Sequence, residues 1–156
     1  MPEGIAEGIG ASVRRQEDKK YTTGKGRYTD DIKRDGQLYA FFVRSNVAHA
    51  TIKKIDVSKA LTCDGVAAIY TGDDIAADGV GGPICGWVPT NRDGSAPKEP
   101  PHPLLAHSKV RYVGDHIAVV IADSPEKAQS AAEKITVDLE VLPPVVDLST
   151  AIGNTQ

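Results

Sequence analysis

Apolar and polar positions alternate in several registers along this chain, and the change of register marks its elements. Ile117 to Ala122 is six apolar residues in a row, IAVVIA, which suits a central strand covered on both faces. Ser124 then offers a capping oxygen, Pro125 sits where a missing N–H costs nothing, and Glu126 lies at the positive end of the dipole, so a helix starts there. Ala128, Ala131, Ala132 and Ile135 recur on one helical face, and alanines at those places allow close packing. From Ile135 the period becomes two: Ile135, Val137, Leu139 and Val141 face one way and Thr136, Asp138 and Glu140 the other, until Leu142-Pro143-Pro144 ends the strand. A strand, a helical crossover of this length and a second strand predict a parallel, right-handed pair.

Upstream, Leu38 to Arg44 reads as a strand after the turn Asp35-Gly36, and Thr51 to Val57 as another. Ser58 to Leu61 predicts a short helix stopped by Asp64-Gly65, and Val66 to Tyr70 a third strand of the buried type. Thr71 to Ile75 then leads the chain out of the sheet through one helical turn. Residues 76–108 hold five glycines and six prolines, and no regular core element fits them. A loop of that length is functional or packs on something outside the domain. Its apolar residues Val80, Ile84, Trp87, Val88, Leu104 and Leu105 are too scattered to form a core, which predicts a loosely held interaction arm first cut by protease at Arg92 or Lys98. Residues 1–20, glycine-rich and then charged, predict an extended or disordered arm.

Composition narrows the function classes. A chain of 156 residues with 40% apolar content fits one domain with an ordinary core. A net charge of −3 offers no basic field for nucleic acid, and no stretch is long and apolar enough to span a bilayer. The first twenty residues lack the apolar centre of a secretion signal, and Cys63 and Cys85 make no metal pair, so a reducing cytoplasm with two free thiols is expected.

Chemical motifs fail one by one. Around Gly24-Lys25 a phosphate loop would need glycine where Lys19 stands and serine or threonine where Gly26 stands. Gly8 and Gly10, or Gly79, Gly81 and Gly82, complete no dinucleotide-binding pattern. His49, His102, His107 and His116 lack zinc-site spacing, although His102 and His107 share a loop. Ser45 with His49, or Cys85 with His107, is conceivable as a nucleophile and base, but nothing fixes such geometry. Asp30-Asp31 and Asp73-Asp74 are explained by capping and turn formation. No catalytic, cofactor-binding or metal-ligating residue is expected, nor bound metal or flavin.

Four stretches taken together carry a resemblance. TTGKGRYTDDI, QLYAFFVRSNVAHATIKKIDVSKA, GVAAIYTGDDI and VRYVGDHIAVVIADSPEKAQSAAEKITVDLEVLPPVVD are similar, in order and spacing, to the N-terminal region of the molybdopterin-binding large subunit of the xanthine dehydrogenase and aldehyde oxidase family. The carbon monoxide dehydrogenase-like branch is nearest in wording. The similarity runs from about Ser12 to Ala151, with His116 and Asn46 standing in turns where the family often has proline. The resemblance implies an α+β fold of the α/β hammerhead type, with a small mixed sheet, packed helices and the long Gly/Pro-rich loop, over residues 21–152 after an arm at 1–20. It further implies a molybdenum–molybdopterin cofactor in the full-length subunit but none in this chain, which alone would be inactive. The partners implied are the remainder of that subunit and the iron–sulfur and flavin subunits. A free-standing interaction or small-ligand-binding module of the same fold, with the 76–108 loop as a lid, is the alternative.

Overall fold

The computed structural model describes Ile9, residues 15–84, Gly86, Trp87 and residues 89–153. The chain divides into two units, Met1–Gln37 and Leu38–Gln156. In the first, α1 (Asp18–Thr22) is one exposed turn; Thr22 and the capping Thr23 after it return hydroxyl bonds to the Asp18 and Lys19 carbonyls. Gly24 follows with φ +72°, a left-handed residue at the helix exit. A 3-10 turn at Thr29–Asp31 is closed by the Asp31 carboxylate, which accepts the Tyr28 N–H at 2.8 Å. The expected N-terminal arm falls mostly outside the described residues, and its last three residues, Asp18 to Lys20, open α1.

The second unit holds β1 (Tyr39–Arg44), β2 (Ala50–Asp56), α2 (Ser58–Leu61), β3 (Val66–Thr71), α3 (Gly72–Ala77), β4 (Lys109–Val110), β5 (His116–Ala122), α4 (Pro125–Ala132), β6 (Thr136–Val141) and α5 (Leu148–Gly153). The strands form two three-stranded sheets ordered β1-β5-β3 and β4-β2-β6, with every pairing antiparallel. The apolar run takes the centre of the first sheet, as its pattern demands.

The helix α4 behaves as its sequence reads. Ser124 Oγ accepts the Lys127 N–H at 3.2 Å, Pro125 opens the first turn, and Ala128, Ala131 and Ala132 are buried. These alanines let α4 lie close on one face of the first sheet, where Ala131 and Ala132 pack with Val120 and Ala60, and Val43, Val66, Ile69 and Ile135 surround them. The second sheet has its own core of Ala50, Ala106, Val110 and Ile117, walled by Ile52, Ile55, Val137 and Leu139.

Three sequence expectations need correction. The α+β hammerhead class holds, but the parallel pair of β5 and β6 does not form: β6 leaves α4 for the other sheet and pairs antiparallel with β2. The reason lies in its alternation, since a strand with one polar face fits beside β2, whose pattern is the same, and not beside a strand apolar on both faces. Lys53 and Glu140 meet at 2.6 Å on the wet side of that pair. Second, β3 is an edge strand with Ala67 and Tyr70 exposed, because it has β5 on one side only. Third, His116 stands at the start of β5 opposite Arg44, and not in a turn.

Candidate interaction surface

Several of the polar residues that sequence reading weighed for chemistry are engaged with the backbone. Ser45 is buried and its hydroxyl is engaged with the Val47 backbone, accepting the N–H at 3.1 Å and donating to the carbonyl at 2.7 Å. His49 is turned elsewhere, its Nδ1 2.9 Å from the Pro143 carbonyl, so the two form no nucleophile and base pair. Buried Asp115 accepts the Arg111 N–H at 3.0 Å and fixes the turn before β5. Asp74 closes the start of α3 by accepting both the hydroxyl and the N–H of Thr71 at 2.7 Å, and these two bonds hold its carboxyl below the ordinary carboxylate value. Asp73 pairs with His107 Nδ1 at 2.6 Å on the surface.

The four histidines are dispersed in role as well as in sequence. His102 lies against the Tyr112 ring with centroids 6.4 Å apart, and His116 against Phe42 at 4.7 Å. The buried His116 Nε2 has no hydrogen-bond partner among the described residues. Cys63 is a free thiol that accepts from Lys134 Nζ at 3.2 Å, whereas Cys85 lies outside the described residues. Among the described residues no three His, Cys, Asp or Glu side chains gather to hold a metal, and no helix is long and apolar enough to cross a membrane.

What the structure does present is apolar surface, in two quite different forms. The first is the excursion after α3. Ile84 and Trp87 are 94% and 78% exposed, with Arg92, Asp93, Lys98 and Glu99 nearby in sequence and also exposed, while Val88 lies outside the described residues. A turn at Asn91–Ser95 is held by the Asp93 carboxylate, which accepts the Ser95 N–H and hydroxyl. The excursion is not loose throughout. Gly82 approaches the His102 carbonyl too closely for a Cβ to fit, and Leu105 and Ala106 are buried, Ala106 donating to the His116 carbonyl at 2.6 Å. Leu105 was expected in the exposed arm; it is anchored because the chain must come back to core depth to enter β4.

The second is the face of the first sheet opposite α4. In an antiparallel pair, directly opposed residues share a face. Phe42 and Tyr70 both stand opposite Val119, and Ala40 and Ala68 both stand opposite Ile121. These six residues therefore form one patch, two strand positions deep and three strands wide. None is charged. Phe42 and Tyr70 are 39% and 42% exposed, Ala40 is exposed, and Val119, Ile121 and Ala68 are half-buried. Sequence reading placed the IAVVIA strand between two covers; one cover is α4, and on the other face only Ile117 is fully enclosed, in the core of the second sheet. A sequence signal for the open patch existed in that uninterrupted run, but its location needed the register.

Comparison with known proteins sets these surfaces in context. Residues 23–143 match the family model described as aldehyde oxidase and xanthine dehydrogenase, a/b hammerhead domain. Over 139 residues the chain is 39% identical to the nicotine 6-hydroxylase large subunit of Paenarthrobacter nicotinovorans, covering 89% of this chain and 16% of that protein. Among solved structures, quinoline 2-oxidoreductase from Pseudomonas putida 86 superimposes with a TM-score of 0.79 at 38% identity, over 92% of this chain and 18% of that one. The Cu,Mo-CO dehydrogenase in its carbon monoxide reduced state gives 0.75 at 37% identity, over 92% and 17%. The chain thus spans less than a fifth of the length of each of these relatives. With the order of its strands, its two antiparallel sheets and this match over most of its length, the chain belongs to the α/β hammerhead domain family of aldehyde oxidase and xanthine dehydrogenase.

Proposed function

We propose that this chain is the N-terminal structural domain of the large subunit of a molybdenum-containing hydroxylase or dehydrogenase, and that it supports assembly without taking part in catalysis. The domain proper is residues 21–152 with its excursion at 76–108, preceded by an arm at 1–20. The molybdenum–molybdopterin cofactor belongs to the remainder of the subunit. The described residues of this chain offer no donor cluster for it, so no chemical step is assigned to them. Its partners are that remainder and the iron–sulfur and flavin subunits, in the cytoplasm.

One observation carries this reading: Ser45, Asp74 and buried Asp115 are tied to local backbone work, while an uncharged patch of sheet is left open. A catalytic domain concentrates convergent polar groups in a cleft. An assembly domain keeps its polar groups for its own turns and leaves apolar surface to a neighbour. The test is to purify the chain alone and within the assembled enzyme, and to measure molybdenum and hydroxylase activity in both. Activity and metal confined to the assembled enzyme support the reading. Stoichiometric molybdenum, or turnover, in the chain alone overturns it, and tight binding of a small metabolite by the chain alone would point to the ligand-binding alternative.

A further inference from the structure

The open face of the first sheet can be assigned an occupant from its chemistry. Its two rows differ in shape. Ala40, Ile121 and Ala68 make a row with one large residue in the middle, and Phe42, Val119 and Tyr70 a row with aromatic rings at both edges. The same face continues along β5 to Ile117, which is 2% exposed within the core of the second sheet. The patch is therefore an unfinished extension of an existing core, and no charge interrupts it. Transient contacts between separately folded subunits carry polar rims and charged residues, whereas an uncharged, core-like surface is the mark of a permanent contact, whether within one chain or between obligate subunits. A chain that had to wait for a separate subunit would expose this patch and an unpaired strand edge at β1, both liabilities for aggregation. A neighbour on the same polypeptide is present at high effective concentration from synthesis onward. The relatives, matched over only 16% to 18% of their length, have ample further chain to provide it.

We infer that the face formed by Ala40, Phe42, Ala68, Tyr70, Val119 and Ile121 is covered by an apolar layer from the remainder of the same large-subunit polypeptide, and not by the iron–sulfur or flavin subunit or a second copy of this chain. This rests on the function proposed above. Ile84 and Trp87, exposed in the excursion between α3 and β4, are not part of the face so assigned.

The experiment uses a full-length large chain carrying this domain, with the photoreactive residue benzoylphenylalanine at position 42 or at position 70. Irradiation is expected to give a cross-link inside the large chain, joining the label to a peptide beyond this domain with no gain in subunit mass. A cross-link to another subunit or to a second large chain overturns the inference, as does the absence of any cross-link. The double variant Phe42→Lys, Tyr70→Lys provides a second readout. It is expected to leave the isolated chain with the parent's denaturation midpoint while the full-length chain loses most of its soluble yield, and Phe42→Leu with Tyr70→Phe restores that yield. Full-length lysine variants that stay as soluble and protease-resistant as the parent overturn the inference too. Molybdenum content of the parent full-length chain reports on the proposed function independently, because it does not depend on where the label reacts.

Discussion

The two faces of the first sheet are built from nearly the same residue types and meet opposite fates. On one, Val120, Ala118 and Ala122 of β5 are buried, and α4 packs on this face with Ala131 and Ala132 against Val120. On the other, Val119 and Ile121 of the same strand remain half-buried between exposed Phe42 and Tyr70. The covered face has small residues of β5 and α4 where the helix approaches closely, with Tyr39 and Phe41 of β1 beside them, opposite Ala122 and Val120. The open face carries two aromatic rings, which bring large contact area to whatever closes over them. Hydrophobicity alone does not tell a core from a docking surface; what separates them is whether the chain itself supplies the second layer.

This contrast predicts a steep asymmetry in the cost of adding charge. Ala132→Asp places a carboxylate on the packed side of α4, beside Ala60, Val120 and Ala131, and should cost several kcal/mol, out of the roughly 5–15 that a domain commonly has. Urea denaturation showing that variant within about 0.5 kcal/mol of the parent would put the packed face elsewhere. Ser124→Ala acts on the same cover from its end. Loss of the cap on the Lys127 N–H should lower stability by about 1 kcal/mol in the same assay. An unchanged midpoint would mean that α4 is held by packing alone. At the bottom of the scale, Phe42→Lys on the open face should shift the isolated chain by no more than about 0.5 kcal/mol, as for surface substitutions generally. A loss as large as that of Ala132→Asp would erase the distinction between the faces.

Much of this was legible from the sequence where local rules decide. The cap at Ser124, the alanine face of α4, the short helix at Ser58–Leu61 and the turn into α3 all follow from signals within a few residues. The partner of β6 was not legible. A helical crossover between two strands ordinarily joins parallel neighbours, and only the match between the one-sided patterns of β2 and β6 argued otherwise. The anchoring of Leu105 was hidden for a similar reason, since glycine and proline around it signal loop while its burial depends on β4 and β5 far along the chain. The open patch lies between these cases: the unbroken IAVVIA run announced two apolar faces, but which residues of β1 and β3 join them is a matter of register, which sequence pattern fixes only when one face is polar. For the polar candidates, distances decided. Ser45 and His49 sit four positions apart, yet one serves Val47 and the other Pro143.

The open face is a surface awaiting its second layer. Hydroxyl-radical footprinting reads side-chain access directly and can be run on the isolated chain and on the assembled enzyme. Phe42, Tyr70, Val119 and Ile121 should oxidise readily in the isolated chain and become strongly protected in the assembled enzyme, while Val120 is protected in both. Equal oxidation of Phe42 and Tyr70 in the two samples would contradict the account.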